Sequence, residues 1–235
     1  LAKLKVGLDW MLFKKGLGAS NHFEAGGFIR SEPGIEHPNL QYHFLPMAVR
    51  YDGGNPTDRH GYQAHVGPMR STSRGYMSLK SGNIDDAPML QPNYCETEQD
   101  RRELRDGVKL TREIFAQSGF DPYRGVELAP GPEVKTDAEI DAFVRETVET
   151  AYHPSCTCKM GTDALAVVDD AGRVHGVENL RVVDSSIMPN IVSGNLNAPT
   201  IMMAEKIADL IKGVAPLPKS SAPVYRAENW QTSQR

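Results

Sequence analysis

The chain has 235 residues, of which 40% are hydrophobic and 24% charged, and its formal net charge is −4 at pH 7. This composition suffices for a sizeable core in one or two domains, and no basic stripe points to a nucleic-acid partner. No apolar run approaches the length of about 18 residues that a membrane helix needs. The chain begins at Leu1, in a pattern typical of the interior of a helix, so we expect further sequence to precede it in a longer protein.

The amino-terminal part is predicted to hold one helix followed by an antiparallel sheet. Residues 3–14 have a helical pattern that ends at Gly16 and Gly18. Strand-like runs rich in β-branched and aromatic residues follow at 22–30, 40–49, 62–70 and 75–80. Glycine, proline, asparagine and aspartate separate these runs, as is typical of turns, at 31–38, 52–58 and 82–88.

The middle of the chain is predicted to form two helices. A long amphipathic helix starts at Thr97 and ends near Ser118. A second helix begins with the pattern of a capping box, in which Thr136 and Glu139 satisfy each other's backbone N–H groups, and it continues to about Thr150.

The carboxy-terminal part is predicted to alternate short extended segments with one helix. Residues 167–174 have the pattern of a hairpin, and residues 180–183 that of a short buried strand. The last helix is predicted over 199–212, with a proline in its first turn and Gly213 at its end. The polar tail from residue 215 is expected to pack loosely.

Two polar segments carry the candidate chemistry. Residues 152–161 contain His153, and residues 193–200 contain Asn195 and Asn197 at the start of the last helix. An imidazole with an amide is a common pair for handling the proton of an alcohol, because the pKa of histidine lies near neutral pH. A helix N-terminus also attracts anions through its unpaired N–H groups and its dipole.

The cysteines do not predict a metal site. Cys95, Cys156 and Cys158 are too few for a disulfide framework. His153 with Cys156 and Cys158 could suggest a metal, but structural zinc usually needs four ligands with a different spacing. We therefore expect no metal, and small packing cysteines beside the histidine.

Several separated motifs, in the same order, resemble the carboxy-terminal part of the glucose–methanol–choline oxidoreductases, which are flavoenzymes that oxidise alcohols. The matching segments are residues 153–161, 180–189 and 194–206. Two further stretches, 18–30 and 39–46, are similar to the choline-oxidising members of the family. The similarity extends from about residue 8 to about residue 218, nearly the whole chain.

The resemblance implies a mixed fold, α+β with α/β. Residues 1–151 would form an antiparallel-sheet substrate domain with helices. Residues 152–213 would form the carboxy-terminal strand–helix part of an FAD-binding Rossmann-like domain, and 214–235 a flexible tail. The amino-terminal half of the FAD domain would be missing, since Gly16-Leu-Gly18 comes closest to the required glycine turn but has Asn21 at the third glycine.

The resemblance also implies roles at the flavin. His153 would take the hydroxyl proton while hydride passes to FAD, and Asn197 would hydrogen-bond the substrate oxygen. Contacts to FAD would come from Asp184, Ser185, Asn195, Pro199 and Thr200. From residue type alone, Asp184 and Ser185 favour a turn or helix cap, and either Asn195 or Asn197 could be the N-cap of the last helix.

Three residues are candidates for binding choline. Phe23 and Glu24 offer an aromatic face and a carboxylate to its trimethylammonium group. Adjacent strand residues point in opposite directions, so both can line one pocket only if the strand bulges. His43 matches a family position that lines the substrate cavity; the alternative is a half-buried sheet residue.

The activity implied by the resemblance is FAD-dependent oxidation of choline to betaine aldehyde, a step toward glycine betaine. The alternatives are a related FAD-dependent primary alcohol dehydrogenase or oxidase, or a catalytically incompetent chain that lacks the ADP-binding half of the FAD site. The implied partners are choline and an electron acceptor of the respiratory chain, together with self-association and peripheral membrane contact. The implied location is the cytoplasm or the surface of the inner membrane.

Overall fold

A computed structural model of the chain describes residues 2–50 and 60–234. The helices among these residues are α1 (Ala2–Phe13), α2 (Glu98–Phe115), α3 (Asp137–Thr147) and α4 (Asn197–Lys212). The strands are β1 (Ala25–Ile29), β2 (Leu40–Leu45), β3 (Gln63–Pro68), β4 (Tyr76–Ser78) and β5 (Met89–Gln91). Short 3₁₀ helices lie at Leu17–Ala19, Ser118–Phe120 and Ser185–Ile187. The turn predicted at 52–58 lies outside the described residues.

The larger sheet is antiparallel, with the order β1-β2-β3. One of its faces packs on α2, where the Tyr42 hydroxyl donates to the Gly107 carbonyl over 2.9 Å and Leu40 and Leu110 are buried. Because side chains alternate along a strand, Gln41 and His43 lie on the opposite face of β2. The prediction of an antiparallel sheet is confirmed, and its second face carries the polar side chains of Gln41 and His43 beside the exposed Phe28.

A smaller sheet pairs β4 with β5. The strand predicted at 75–80 is confirmed over Tyr76–Ser78. Its partner β5 was not predicted, because Met89–Gln91 follows a proline and is only three residues long.

Helices α2 and α3 pack together and enclose a second core around Cys95, Ile140 and Val144. The predicted capping box of α3 is confirmed in both directions. Arg105 of α2 holds Asp141 of α3 through a two-pronged ion pair of 2.7 and 2.6 Å. Both helices therefore form where the sequence predicts them.

The carboxy-terminal part has its own core around Val168, Ile187 and Ile207. The hairpin predicted at 167–174 is confirmed, with Gly172 at a φ of 74° in the turn. Helix α4 begins two residues before its predicted start and ends at a left-handed Gly213, as predicted.

The prediction of a short buried strand at 180–183 is wrong. Within the described chain this segment makes one isolated bridge, between Arg181 and Arg173, rather than a ladder. Leu180 is 49% exposed. The bridge is held by two backbone hydrogen bonds, from Val174 to the Leu180 carbonyl and from Val182 to the Gly172 carbonyl. The chain then turns into the 3₁₀ helix at Ser185–Ile187, so the pairing does not extend into a ladder.

The end of the chain returns to the loop after β1. The Gly34 N–H donates to the Trp230 carbonyl over 2.9 Å, and Arg226 forms an ion pair with Glu36 at 2.5 Å. Gln234 donates to the Arg30 carbonyl over 2.8 Å. Residues 214–225 are exposed, so the loose packing expected for the tail applies to its first half. The flexibility of the tail and the domain boundaries at 151 and 213 stay predictions.

None of the helices within residues 2–50 and 60–234 has the length and apolar character needed to cross a membrane.

Candidate active site

His153 lies on an exposed segment that runs beside the 3₁₀ helix Ser185–Ile187. The Ser185 hydroxyl donates to the Pro154 carbonyl over 3.1 Å, and the Cys156 N–H donates to the Ser185 carbonyl over 3.3 Å. The structure therefore places the segment that carries His153 beside Ser185, and a role of either residue at a flavin stays a prediction. The His153 side chain is exposed, and its imidazole has no hydrogen-bond partner among the described residues.

The backbone around His153 is strained. Tyr152 and Cys156 have φ values of 60° and 70°, in the left-handed region that side chains other than glycine rarely adopt. Such conformations persist where the surrounding structure imposes them, and they concentrate at functional sites. The strain on both sides of His153 supports a functional segment here.

The thiols of this segment do not form a recognisable metal site. All three cysteines are free, and Cys156 and Cys158 are partly buried. No group of three or more His, Cys, Asp or Glu side chains in the described parts of the chain is arranged to hold a metal ion.

Asp184 acts as the cap that its residue type suggests. Its carboxylate accepts from the Ser186 N–H over 2.8 Å, at the start of the 3₁₀ helix. Ser185 does not act as a cap, because its hydroxyl donates to the Pro154 carbonyl instead. A contact of either residue with FAD stays a prediction.

The N-terminus of α4 has no side-chain cap. Leu196 occupies the N-cap position with no side-chain cap, so the suggestion that Asn195 or Asn197 caps the helix is wrong. Asn197 is the first helical residue and is exposed, and no acidic side chain lies in the first turn. The first N–H groups of a helix have no partner within it, so this end suits an anionic group.

Pro199 and Thr200 contribute less to this end than the sequence suggested. Pro199 has no N–H group to donate. The N–H and the hydroxyl of Thr200 both donate to the Leu196 carbonyl, over 3.0 and 2.7 Å. The donors open to a ligand are therefore the N–H groups at the very start of the helix and the amide of Asn197.

The structure joins the start of α4 to the polar face of the larger sheet. The Gln41 amide donates to Asn195 Oδ1 over 3.1 Å. Because Gln41 and His43 share one face of β2, His43 belongs to the same surface. The segment before α4 therefore adjoins the sheet face that carries His43.

Phe23 contacts His43 directly. Their ring centroids are 5.7 Å apart and the rings are nearly perpendicular, at 82°. Glu24 accepts a hydrogen bond from the Ser20 hydroxyl. Phe23 and Glu24 both precede β1, which starts at Ala25, so strict strand alternation does not separate them. Phe23 is 47% exposed and presents its ring beside His43.

His65 was missed by the sequence analysis. It lies directly opposite His43 in the register of β2 and β3. Gln63 Oε1 accepts from the Val49 N–H, so its amide nitrogen donates to His65 Nε2 over 2.6 Å. Burial lowers the pKa of His65, while Glu149 opposes this effect and His43 adds to it. Burial therefore disfavours the charged form of His65.

A signal for this arrangement exists in the sequence. Both β2 and β3 carry a Gln-x-His triplet, at 41–43 and 63–65. Residues two apart in a strand share a face, so each triplet places an amide and an imidazole side by side. The repeated spacing predicts a polar sheet face, although not which strands pair.

Comparisons with known proteins show which proteins the chain resembles. The family model of the GMC oxidoreductases matches residues 71–204. The chain is 60% identical over 222 residues to an oxygen-dependent choline dehydrogenase from Pseudomonas fluorescens strain SBW25. The matched region covers 94% of this chain and 39% of that relative. The chain therefore spans about two fifths of the length of this relative.

Two solved structures are similar in fold. A pyridoxine 4-oxidase from Mesorbium loti has a TM-score of 0.72 and 28% identity, over 83% of this chain and 39% of that one. An FAD-containing formate oxidase from Aspergillus oryzae has a TM-score of 0.80 over 91% of this chain and 42% of that one. Its identity of 22% shows a shared fold alone.

Proposed function

The chain belongs to the GMC oxidoreductase family, and on that basis we propose that it supplies the substrate-binding sheet and the proton-handling side chains of an FAD-dependent enzyme that oxidises choline to betaine aldehyde. The observation that carries the proposal is the identity with a choline dehydrogenase over nearly the whole chain. The hydroxyl of choline loses a proton and its carbinol carbon loses a hydride, which leaves an aldehyde. FAD supplies the hydride acceptor when it is bound.

His153 is proposed as the base that takes the hydroxyl proton. Its ring is exposed and has no protein partner within the described chain, so a nitrogen is available to an incoming hydroxyl. A positioned general base typically accelerates such a step by about 10² to 10⁴-fold. Asn197 is proposed to hydrogen-bond the same oxygen, and so to stabilise the negative charge that develops as the proton leaves.

The residues at the start of α4 fit the flavin ring. The helix end is uncapped and free of acidic side chains, which suits a group that becomes anionic on reduction. The residues proposed to hold FAD are Asn195, Pro199 and Thr200 at this helix, with Asp184 and Ser185 on the neighbouring 3₁₀ helix.

The trimethylammonium group of choline is proposed to bind at Phe23, Glu24 and His43. An aromatic face attracts such a cation by about 0.5–2 kcal/mol. The perpendicular packing of Phe23 on His43 fixes the ring at the edge of the polar sheet face. The carboxylate of Glu24 adds opposite charge close by in the chain.

The electron acceptor of the reduced enzyme is proposed to be a carrier of the respiratory chain. The Pseudomonas fluorescens relative is named for oxygen dependence, so oxygen is the second acceptor to compare. Self-association, and a location in the cytoplasm or at the surface of the inner membrane, are further proposals that rest on the family resemblance.

The test is a chimeric enzyme in which this chain replaces the matching 222-residue region of the Pseudomonas fluorescens relative. Mixed with choline under anaerobic conditions, the parent chimera should lose the visible absorption of oxidised FAD rapidly. The His153→Gln variant should bind FAD but lose that absorption at least about a hundredfold more slowly. The matched control is His175→Gln, since His175 contacts the Gly161 carbonyl and lies outside the proposed site.

Other outcomes would change the proposal. Equal rates for His153→Gln and the parent would exclude His153 as the base. If a neutral alcohol bleaches the flavin but choline does not, FAD-dependent alcohol oxidation would be supported and choline would be excluded as the substrate. A soluble, folded chimera that binds no FAD would favour a non-catalytic role for this chain.

A further inference from the structure

The corner that leads into α4 is fixed to the sheet on both sides of a glycine. Arg70 Nη1 donates to the Ser193 hydroxyl over 2.7 Å, and the Gln41 amide donates to Asn195 Oδ1 over 3.1 Å. Gly194 lies between them at a φ of 96°, a conformation that suits glycine. The corner is therefore a defined turn whose two ends are attached to different parts of the sheet.

Arg70 joins three segments through one guanidinium group. Besides Ser193, it donates to the Pro38 carbonyl over 2.9 Å and to the His37 carbonyl over 3.0 Å. Residues 37–38 lead into β2, and Arg70 itself follows β3. The planar, forked donor set of arginine can serve all these acceptors at once, whereas lysine is a compact point charge.

The loop that follows Arg70 is itself fixed to α2. Asp100 is 2% exposed and accepts from the N–H groups of Thr72 and Ser73, over 2.8 and 2.9 Å. Arg74, at the end of this loop, donates to Asn190 Oδ1 over 3.0 Å. Arg70 is thus a rigid point of attachment, supported from the helix side, and the segment before α4 has a second attachment to the same loop.

We propose that Arg70 is a positioning residue for Asn197, acting through the Ser193 hydroxyl. It holds the corner 193–195 against the sheet, so that the first turn of α4 presents the Asn197 amide toward the face that carries His43. This inference rests on the proposed function, because the partner assigned to Asn197 is the substrate oxygen. Small displacements of a positioning group can slow a reaction by up to about a hundredfold.

Ser193→Ala tests the attachment by itself. It removes the bond from Arg70 to the corner and leaves the two carbonyl contacts at 37–38 intact. In the chimeric holoenzyme, backbone hydrogen exchange at residues 194–200 should become about tenfold faster, while α3 exchanges as in the parent. Arg70→Lys should have the same effect at 194–200. Ser220→Ala is the control, since the Ser220 hydroxyl makes only a local turn contact in the tail.

The rate of flavin reduction tests the positioning role. Ser193→Ala should retain FAD and reduce the limiting rate with choline about tenfold, with little change in the choline concentration that gives half of that rate. The double variant that combines Ser193→Ala with Arg70→Lys should reduce its flavin no more slowly than Arg70→Lys alone, because both changes remove the same contact.

The two measurements separate failure of the inference from failure of the proposed function. The inference is overturned if choline reduces the flavin of the parent chimera, but Ser193→Ala matches the parent both in hydrogen exchange at 194–200 and in the limiting rate of flavin reduction. If hydrogen exchange changes as expected but choline does not reduce the flavin of the parent chimera, the attachment through Ser193 is supported and choline is excluded as the substrate. If Arg70→Lys does not fold, Ser193→Ala decides.

Discussion

Asp100 shows how one buried carboxylate organises a loop next to the proposed site. It lies in the first turn of α2, where Thr97 caps the helix, and it accepts from the Ser71 hydroxyl and from the N–H groups of Thr72 and Ser73. Burial by itself would raise the pKa of Asp100. The hydrogen bonds from Ser71, Ser73 and Thr72 together outweigh burial and hold the pKa below its ordinary value.

This depressed pKa predicts a loss of stability in acid. Because folded Asp100 gives up its proton more readily than unfolded Asp100, its stabilisation is present above the unfolded pKa of about 3.9 and is lost as pH falls through the folded value. Asp100→Asn should lower the free energy of unfolding at pH 7 by about 1–3 kcal/mol, and should lose less stability between about pH 5 and pH 3. Denaturant unfolding across this pH range measures both effects.

The matched control for this prediction is Asp170→Asn, because Asp170 is exposed. Its free energy of unfolding at pH 7 should match that of the parent. A curve for Asp100→Asn that runs parallel to the parent through the acid range would show that the bonds from 71–73 do not depend on the charge of Asp100.

At the scale of single residues, local motifs supplied the candidate site residues, and their roles stay predictions. His153 and Asn197 came from matched motifs, and the structure places both on exposed segments. Gln41 and His65 were not predicted as site residues, because their roles depend on the pairing of β2 with β3 and on a contact between residues 41 and 195. The Gln-x-His triplets indicate the polar sheet face, but the strand pairing and the contact between residues 41 and 195 leave no local sequence signal.

At the scale of elements, the close contact between α2 and β3 depends on Gly107. A β-carbon added at this position would lie 3.0 Å from one methyl group of Val66 and 3.2 Å from the other. Gly107→Ala should therefore lower the free energy of unfolding by about 1–3 kcal/mol, as overpacking does, despite the better helix propensity of alanine. Thermal or denaturant unfolding would measure the loss.

Two further variants isolate the cause of this loss. Combining Gly107→Ala with Val66→Ala should cost less than the sum of the two single changes, because the second removes the methyl groups in the way. Gly7→Ala in α1, where no atom lies within 4 Å of the added β-carbon, should instead be neutral or slightly stabilising. Additive losses would show that steric contact with Val66 is not the reason.

Elements were predictable where their signals are local. The α3 helix carries a complete capping box, and Gly213 ends α4 in the left-handed conformation. The strand predicted at 180–183 is wrong because its pairing with 172–174 stops after one bridge within the described chain, and an apolar run does not show how far pairing extends. The docking of Trp230 on Gly34 could not be predicted either, since it joins residues nearly 200 positions apart.

At the scale of the whole molecule, α1 stands out by its exposed apolar surface. Leu4, Leu12 and Phe13 are 63%, 65% and 65% exposed, and α1 packs mainly on the short 3₁₀ helix at Leu17–Ala19. Apolar helix surface of this extent is normally buried. The Pseudomonas fluorescens relative is about two and a half times as long as the region it shares with this chain, so we expect α1 to be covered when the rest of that length is supplied.

Phe13→Glu tests this expectation by comparing the chain by itself with the chimeric enzyme. In the 235-residue chain, Phe13 already faces solvent, so the change should leave the unfolding temperature unaltered and reduce the binding of an apolar dye. In the chimera, a buried charge without a partner should lower the free energy of unfolding by more than about 2 kcal/mol. Leu217→Glu is the control, because Leu217 is 87% exposed in the tail and should be neutral in both proteins. Equal stability of the Phe13→Glu and parent chimeras would mean that α1 remains exposed in the longer protein, and that its apolar surface serves another contact.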